Sequence, residues 1–99
     1  MTMIEFEWDP EKAKANLVKH GVGFVEAATV FRDPVALTAF DPDHSSNEDR
    51  YITVGTSDNA RPVMVAHTDR GNRIRIISAR ALTRTERKDY GKEIEERAK

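Results

Sequence analysis

Three apolar runs, Tyr51 to Thr56, Pro62 to Thr68 and Arg73 to Ala79, are separated by short polar breaks. The breaks, Ser57-Asp58-Asn59-Ala60 and Asp69-Arg70-Gly71-Asn72, both carry turn chemistry. Connections this short join antiparallel neighbours, so the runs must form a meander of hairpins. Pro62 lacks a backbone donor and is expected to start its strand. An earlier run, Val35 to Phe40, reads as a strand leading into the meander across the polar loop Asp41 to Asp49.

The part before the meander has a different rhythm. Ile4-Glu5-Phe6-Glu7-Trp8 alternates apolar and acidic, the mark of a half-buried strand. Asp9-Pro10 is a helix start, with a capping carboxylate followed by a residue preset for the first turn. That helix should run to about His20, with Ala13 and Leu17 on its buried stripe, Val18 beside it, and His20 or Gly21 closing it. Lys19 and His20 suit the negative end of its dipole. Phe24, Ala27, Ala28 and Phe31 recur at helical spacing, and Asp33-Pro34 ends this second helix. At the tail, Thr83-Arg84-Thr85-Glu86 matches a capping box. Tyr90, Ile94 and Ala98 form a thin apolar stripe behind it, and Gly91 should leave the second half looser than the first. Helices grouped ahead of an antiparallel meander predict an α+β fold with helices on one sheet face.

With 99 residues the chain is expected to form a single domain around one modest core. It has no cysteine, so neither disulfides nor thiolate zinc sites are expected. No run is long and apolar enough to span a bilayer, and the first residues lack a basic-then-apolar leader. A cytoplasmic protein follows as the expectation. The net charge of −1 hides a split. Residues 1–72 hold 7 basic and 12 acidic side chains, a net of −5, whereas residues 73–99 hold 9 and 5, a net of +4. Such a split predicts one acidic and one basic surface, the latter suited to phosphate backbones.

No metal, calcium-loop or phosphate-loop pattern stands out, and no cofactor is expected. His20, His44 and His67 lie on three different elements, and none is read as paired with another ligand at helical spacing. The informative segment is Ile74-Arg75-Ile76-Ile77-Ser78-Ala79-Arg80. Strict alternation puts Ile74, Ile76, Ser78 and Arg80 on one face, and Arg73, Arg75, Ile77 and Ala79 on the other. With the isoleucines in the core, Arg75 projects from the opposite face and Arg80 emerges at the strand end. Arg50 opens the neighbouring strand, and His67 follows Val63 and Val65 in the next. Guanidinium forks match phosphate geometry, and histidine is the side chain that exchanges protons near neutral pH. The structural alternative pairs Arg75 with Glu48, Asp49 or an N-terminal glutamate, and leaves His44 solvated.

Residues 6–24, from Phe6-Glu7-Trp8-Asp9-Pro10 through Lys19-His20-Gly21 to Phe24, followed by Ala27 to Phe31, resemble the opening of the BrnT toxins. Asp49-Arg50, Ile74 to Arg80, Glu86-Arg87 and Tyr90 resemble the remainder, in order. Gly23 departs from the pattern, where a hydroxyl residue usually caps the second helix. The resemblance implies a RelE-like fold, three helices on a small, mainly antiparallel sheet. It also implies an endoribonuclease toxin of a type II toxin–antitoxin system that cleaves RNA without a metal, by attack of the ribose 2′-hydroxyl. Its expected partner is a BrnA-like ribbon-helix-helix antitoxin, through which alone DNA is bound. Homodimers or heterotetramers with the antitoxin are both compatible with the sequence. On this reading Arg75, Arg80 and Arg50 stabilise phosphate, His67 or His20 moves protons, and Lys19 and Arg73 hold the RNA. The alternatives are a non-catalytic module binding nucleic acid or a partner through the basic third, and an assembly protein pairing through its open sheet face.

Overall fold

The computed structural model describes residues 4–97. A short strand β1 (Glu5–Glu7) leads into helix α1 (Pro10–His20) and helix α2 (Phe24–Thr29), which tightens into a 3-10 turn over Val30–Arg32. Strands β2 (Leu37–Phe40), β3 (Arg50–Thr56), β4 (Pro62–Arg70) and β5 (Arg73–Ala81) follow, and helix α3 (Arg84–Arg97) closes the chain. The sheet order is β1-β5-β4-β3-β2. The meander is antiparallel as expected, and β1 joins its far side parallel to β5. Ala98, expected on the tail stripe, lies outside the described residues.

The caps are those the residues dictate. Asp9 accepts from the Glu11 amide at 2.9 Å, and Gly21 ends α1 with φ 69°. Thr83 and Glu86 exchange the two bonds of a capping box, 2.9 and 3.2 Å. Gly23 caps α2 without a side-chain bond.

The core lies between the two N-terminal helices and one sheet face. Val22, Phe24, Ala27 and Val30 meet Val63, Val65, Ile76 and Ala79 there, with Trp8 edge-on to Phe24. Two expectations fail at this layer. Leu17 is 54% exposed and Val18 88%, while Asn16 is the buried residue of α1. β1 pairs with β5 only at Arg73 to Arg75, so the β5 edge at Ala79 has no strand beside it. The Asn16 amide fills that gap, accepting from the Ala79 amide at 3.1 Å and donating to its carbonyl at 2.8 Å. A buried polar side chain is stable when paired in this way.

The second failure is the strict alternation along β5. His67 pairs with Ile76 and Ala66 with Ser78, so Ile77 is an extra residue, a β-bulge. Ile76 and Ala79 therefore share the core face. Arg80 is moved to the same face as Arg73 and Arg75, opposite the helices.

Candidate functional site

The face turned away from α1 and α2 carries the arginines. Register aligns Glu7 with Arg75, Arg75 with Thr68, and Thr68 with Arg50 across four neighbouring strands. One residue pair further along, Arg70 lies opposite Arg73, which lies beside Glu5. With strands about 4.8 Å apart, Arg50 and Arg75 are roughly 10 Å apart at their Cα atoms. That is within the combined reach of two guanidinium side chains around one phosphodiester.

Carboxylates already occupy most of these cations. Arg75 meets Glu7 at 2.8 Å, Arg73 meets Glu5 at 3.1 Å, and Arg70 meets Glu48 at 3.1 Å. The predicted segregation into one acidic and one basic surface is thereby corrected. Parallel pairing returns the N-terminal glutamates onto the basic strand. Arg50 is the exception, since among the described residues no carboxylate lies within ion-pair distance of its guanidinium.

The loop before β3 folds back onto Arg50. The Asp41 amide donates to the Arg50 carbonyl at 2.8 Å, and the Arg50 amide donates to Ser45 Oγ at 2.9 Å. In this loop His44 Nδ1 lies 2.8 Å from Asp41 Oδ2, with the His44 side chain 65% exposed. His44 is solvated as expected, but it has a carboxylate partner at i−3, in the loop whose Asp41 and Ser45 bond the Arg50 backbone. The signal was in the sequence, as Asp-Pro-Asp-His ahead of Arg50.

The other expected site residues are elsewhere. His67 is 4% exposed and lies on the helix-covered face, edge-on to Phe31 and stacked on Tyr51. Its Nε2 pairs with Thr53 Oγ1 at 2.7 Å, and its Nδ1 has no partner. Burial holds this imidazole below the ordinary histidine range. The sheet therefore separates His67 from the arginine face. Arg80 is on that face but four residues of strand away, roughly 13 Å from the Arg75 row. It is held in a two-pronged pair with Glu86 at 2.7 and 2.9 Å. Lys19 and His20 close α1 beside Gly21, whose carbonyl accepts from Arg61, so they lie at the Pro62 end of the sheet. Arg50, Arg73 and Arg75 thus come together, whereas Arg80, His20, Lys19 and His67 do not join them. Among the described residues no group of three His, Asp or Glu gathers that could hold a metal ion.

Comparison with known proteins adds two findings. The family model described as the ribonuclease toxin BrnT of type II toxin–antitoxin systems matches residues 8–86. In structure the chain is similar to the ribonuclease toxin BrnT of Brucella abortus, with a TM-score of 0.60 and 22% identity. That alignment covers 84% of this chain and 100% of the other, and at this identity it speaks for the fold. No curated protein matches the sequence.

Proposed function

The chain belongs to the BrnT family of ribonuclease toxins of type II toxin–antitoxin systems, and on that premise we propose that it cleaves RNA without a metal at the open sheet face around Arg50 and Arg75. The observation that carries this reading is the cross-strand row Arg50–Thr68–Arg75, whose Arg50 guanidinium has no carboxylate partner among the described residues and whose Arg50 backbone is bonded to the loop that holds the Asp41–His44 pair. Arg50 and Arg75 bind the scissile phosphate and offset the charge that builds on its oxygens in the transition state. Arg73 holds the neighbouring backbone. His44, with Nδ1 committed to Asp41, presents Nε2 to the ribose and takes the 2′-hydroxyl proton. The 2′-oxygen then bonds to phosphorus, the bond to the 5′-oxygen breaks, and the departing oxygen takes a proton from water. The products are a 2′,3′-cyclic phosphate and a free 5′-hydroxyl.

Glu7 competes with RNA for Arg75, so the substrate must displace an ion pair whose side chains are 30% and 27% exposed, a modest cost at a partly solvated surface. No helix among the described residues is long and apolar enough to cross a membrane. The partner on this reading is a BrnA-like antitoxin, which would also supply the DNA contacts of the system.

The test is growth arrest and RNA decay on expression of Arg50→Ala, Arg75→Ala and His44→Ala. A loss of about 100-fold or more in cleavage is expected from each. Folded variants that stay fully toxic would overturn the assignment, and cleavage abolished by a chelator would point to a metal mechanism. A module that only binds would leave cellular RNA intact in every case.

A further inference from the structure

Ile52 follows Arg50 on the open face of β3, and β2 sets Ala39 beside it. Two residues of strand, roughly 7 Å, separate Ile52 from the arginine row. From there an apolar groove of about 420 Å³ runs under α3, floored by Leu37, Ala39, Ile52, Val54 and Met64. Its volume is within the range of sites that take small organic ligands.

Two side chains of α3 give the groove its chemistry. Tyr90 lines it and is half-buried, with its hydroxyl on the buried side, so what it presents to the groove is the ring. Asp89 stands exposed on the rim. Glu86 is held by Arg80 and Glu93 by Arg97, which leaves Asp89 as the rim carboxylate without an ion partner among the described residues.

We propose that this groove seats the nucleobase next to the cleaved phosphate, and that Asp89 selects guanine. The phosphate lies on Arg50 and Arg75, the ribose crosses to Ile52, and the base packs on the apolar floor against Tyr90. Bases splayed out of a single strand are held by aromatic rings and read along their edges in this way. A carboxylate accepts hydrogen bonds and donates none. Guanine alone carries two neighbouring N–H donors on one edge, at N1 and the N2 amino group, and meets both carboxylate oxygens at once. Adenine and cytosine offer a single amino group, and uracil flanks its one N–H with two carbonyls that face the carboxylate charge. The floor would suit an apolar side chain equally well; what decides for a nucleotide is that the groove opens one sugar's width from the phosphate-binding row. The phosphate's place rests on the toxin reading above, and the choice of base rests on the groove.

The experiment uses the full chain and thymidine decamers with and without one central deoxyguanosine. These strands lack the 2′-hydroxyl, so they bind without being cut. The guanine should lower the Kd about tenfold. Asp89→Ala should erase that difference and leave binding of the all-thymidine strand unchanged, a split that loss of folding would not produce. Tyr90→Leu should raise the Kd of both strands about tenfold, whereas Tyr90→Phe, which keeps the ring, should bind as the wild type does. On RNA, kcat/KM beside guanine should exceed that beside uracil about tenfold in the wild type and match it in Asp89→Ala. Equal Kd values for the two strands in the wild type overturn the guanine assignment, and a folded Tyr90→Leu with wild-type affinity overturns the pocket. So does a chain that dimerises alone and becomes monomeric with Tyr90→Leu, which assigns the groove to a second copy. A wild type that binds the deoxyguanosine strand selectively yet leaves RNA whole sinks the nuclease reading and keeps the base pocket.

Discussion

Asn16 does at Ala79 what a sixth strand segment would do, and no apolar residue can replace it. Asn16→Leu leaves the Ala79 amide and carbonyl buried without partners, and frees the Val22 carbonyl from its 2.8 Å bond. A loss of about 2–3 kcal/mol is expected, read as a lower urea midpoint with an unchanged slope. A midpoint equal to wild type would mean that water serves those groups instead. Ala60 is the opposite case. It sits at φ 59° in the turn between β3 and β4, a conformation that crowds its Cβ. Ala60→Gly should therefore stabilise by about 1 kcal/mol, and a destabilised variant would refute the strain. Neither role can be read from residue type. Asparagine in a helical window is commonly a surface residue, and the apolar pattern at Leu17 and Val18 pointed the stripe about one residue away from where it lies. Which helix face is buried was decided by a backbone gap that exists only after β1 has paired with β5.

At the scale of elements, the β3–β4 hairpin is fastened to α2 by one half-buried cluster. Arg61 grips Glu26 at 2.7 and 2.8 Å, Ser57 Oγ donates to the same carboxylate at 2.7 Å, and the Asp58 amide donates to Thr29 Oγ1 at 3.0 Å. The Arg61 guanidinium, and after it the Ser57 hydroxyl, hold the Glu26 carboxyl down at about 2. Glu26→Gln keeps the shape and loses the charge, so it should cost about 2 kcal/mol and raise hydrogen exchange at residues 57–61 first. Uniform loss of protection across the sheet would instead place the cluster inside the global unfolding unit. Hairpins, caps and element order were legible because each follows from local chemistry, as Gly71 at φ 66° and the Thr83–Glu86 box illustrate. The bulge at Ile77 was not. Ile74 and Ile76 fall in one phase and Ile77 and Ala79 in the other, a break that strict alternation passes over and that pairing with β4 resolves as a bulge. It is the bulge that brings Arg80 onto the same face as Arg75.

Across the whole molecule, charge is balanced through long-range pairs. The excess of cations after residue 72 predicted a basic surface, yet Glu5 and Glu7 return to Arg73 and Arg75 from 68 residues away. The candidate site is accordingly small, centred on the unpaired Arg50 and the Asp41–His44 pair. His67, the most sequence-obvious proton carrier, instead couples folding to pH. Its folded pKa lies below the ordinary 6.5 because burial penalises the cation. The unfolded chain therefore binds more protons than the native one just below pH 6.5, and stability falls as the pH is lowered from there. The slope is at most about 1.4 kcal/mol per pH unit, down to the folded pKa. Glu26 and Glu86, each held at about 2, act lower. Their contribution is complete above about 4.5 and is lost as the pH falls toward 2. Two separate steps should thus appear in urea midpoints taken from pH 7.5 to 3. His67→Leu should flatten the upper step alone, and Glu26→Gln should shrink the lower one. An upper step that survives in His67→Leu would leave the buried imidazole without a role in acid stability.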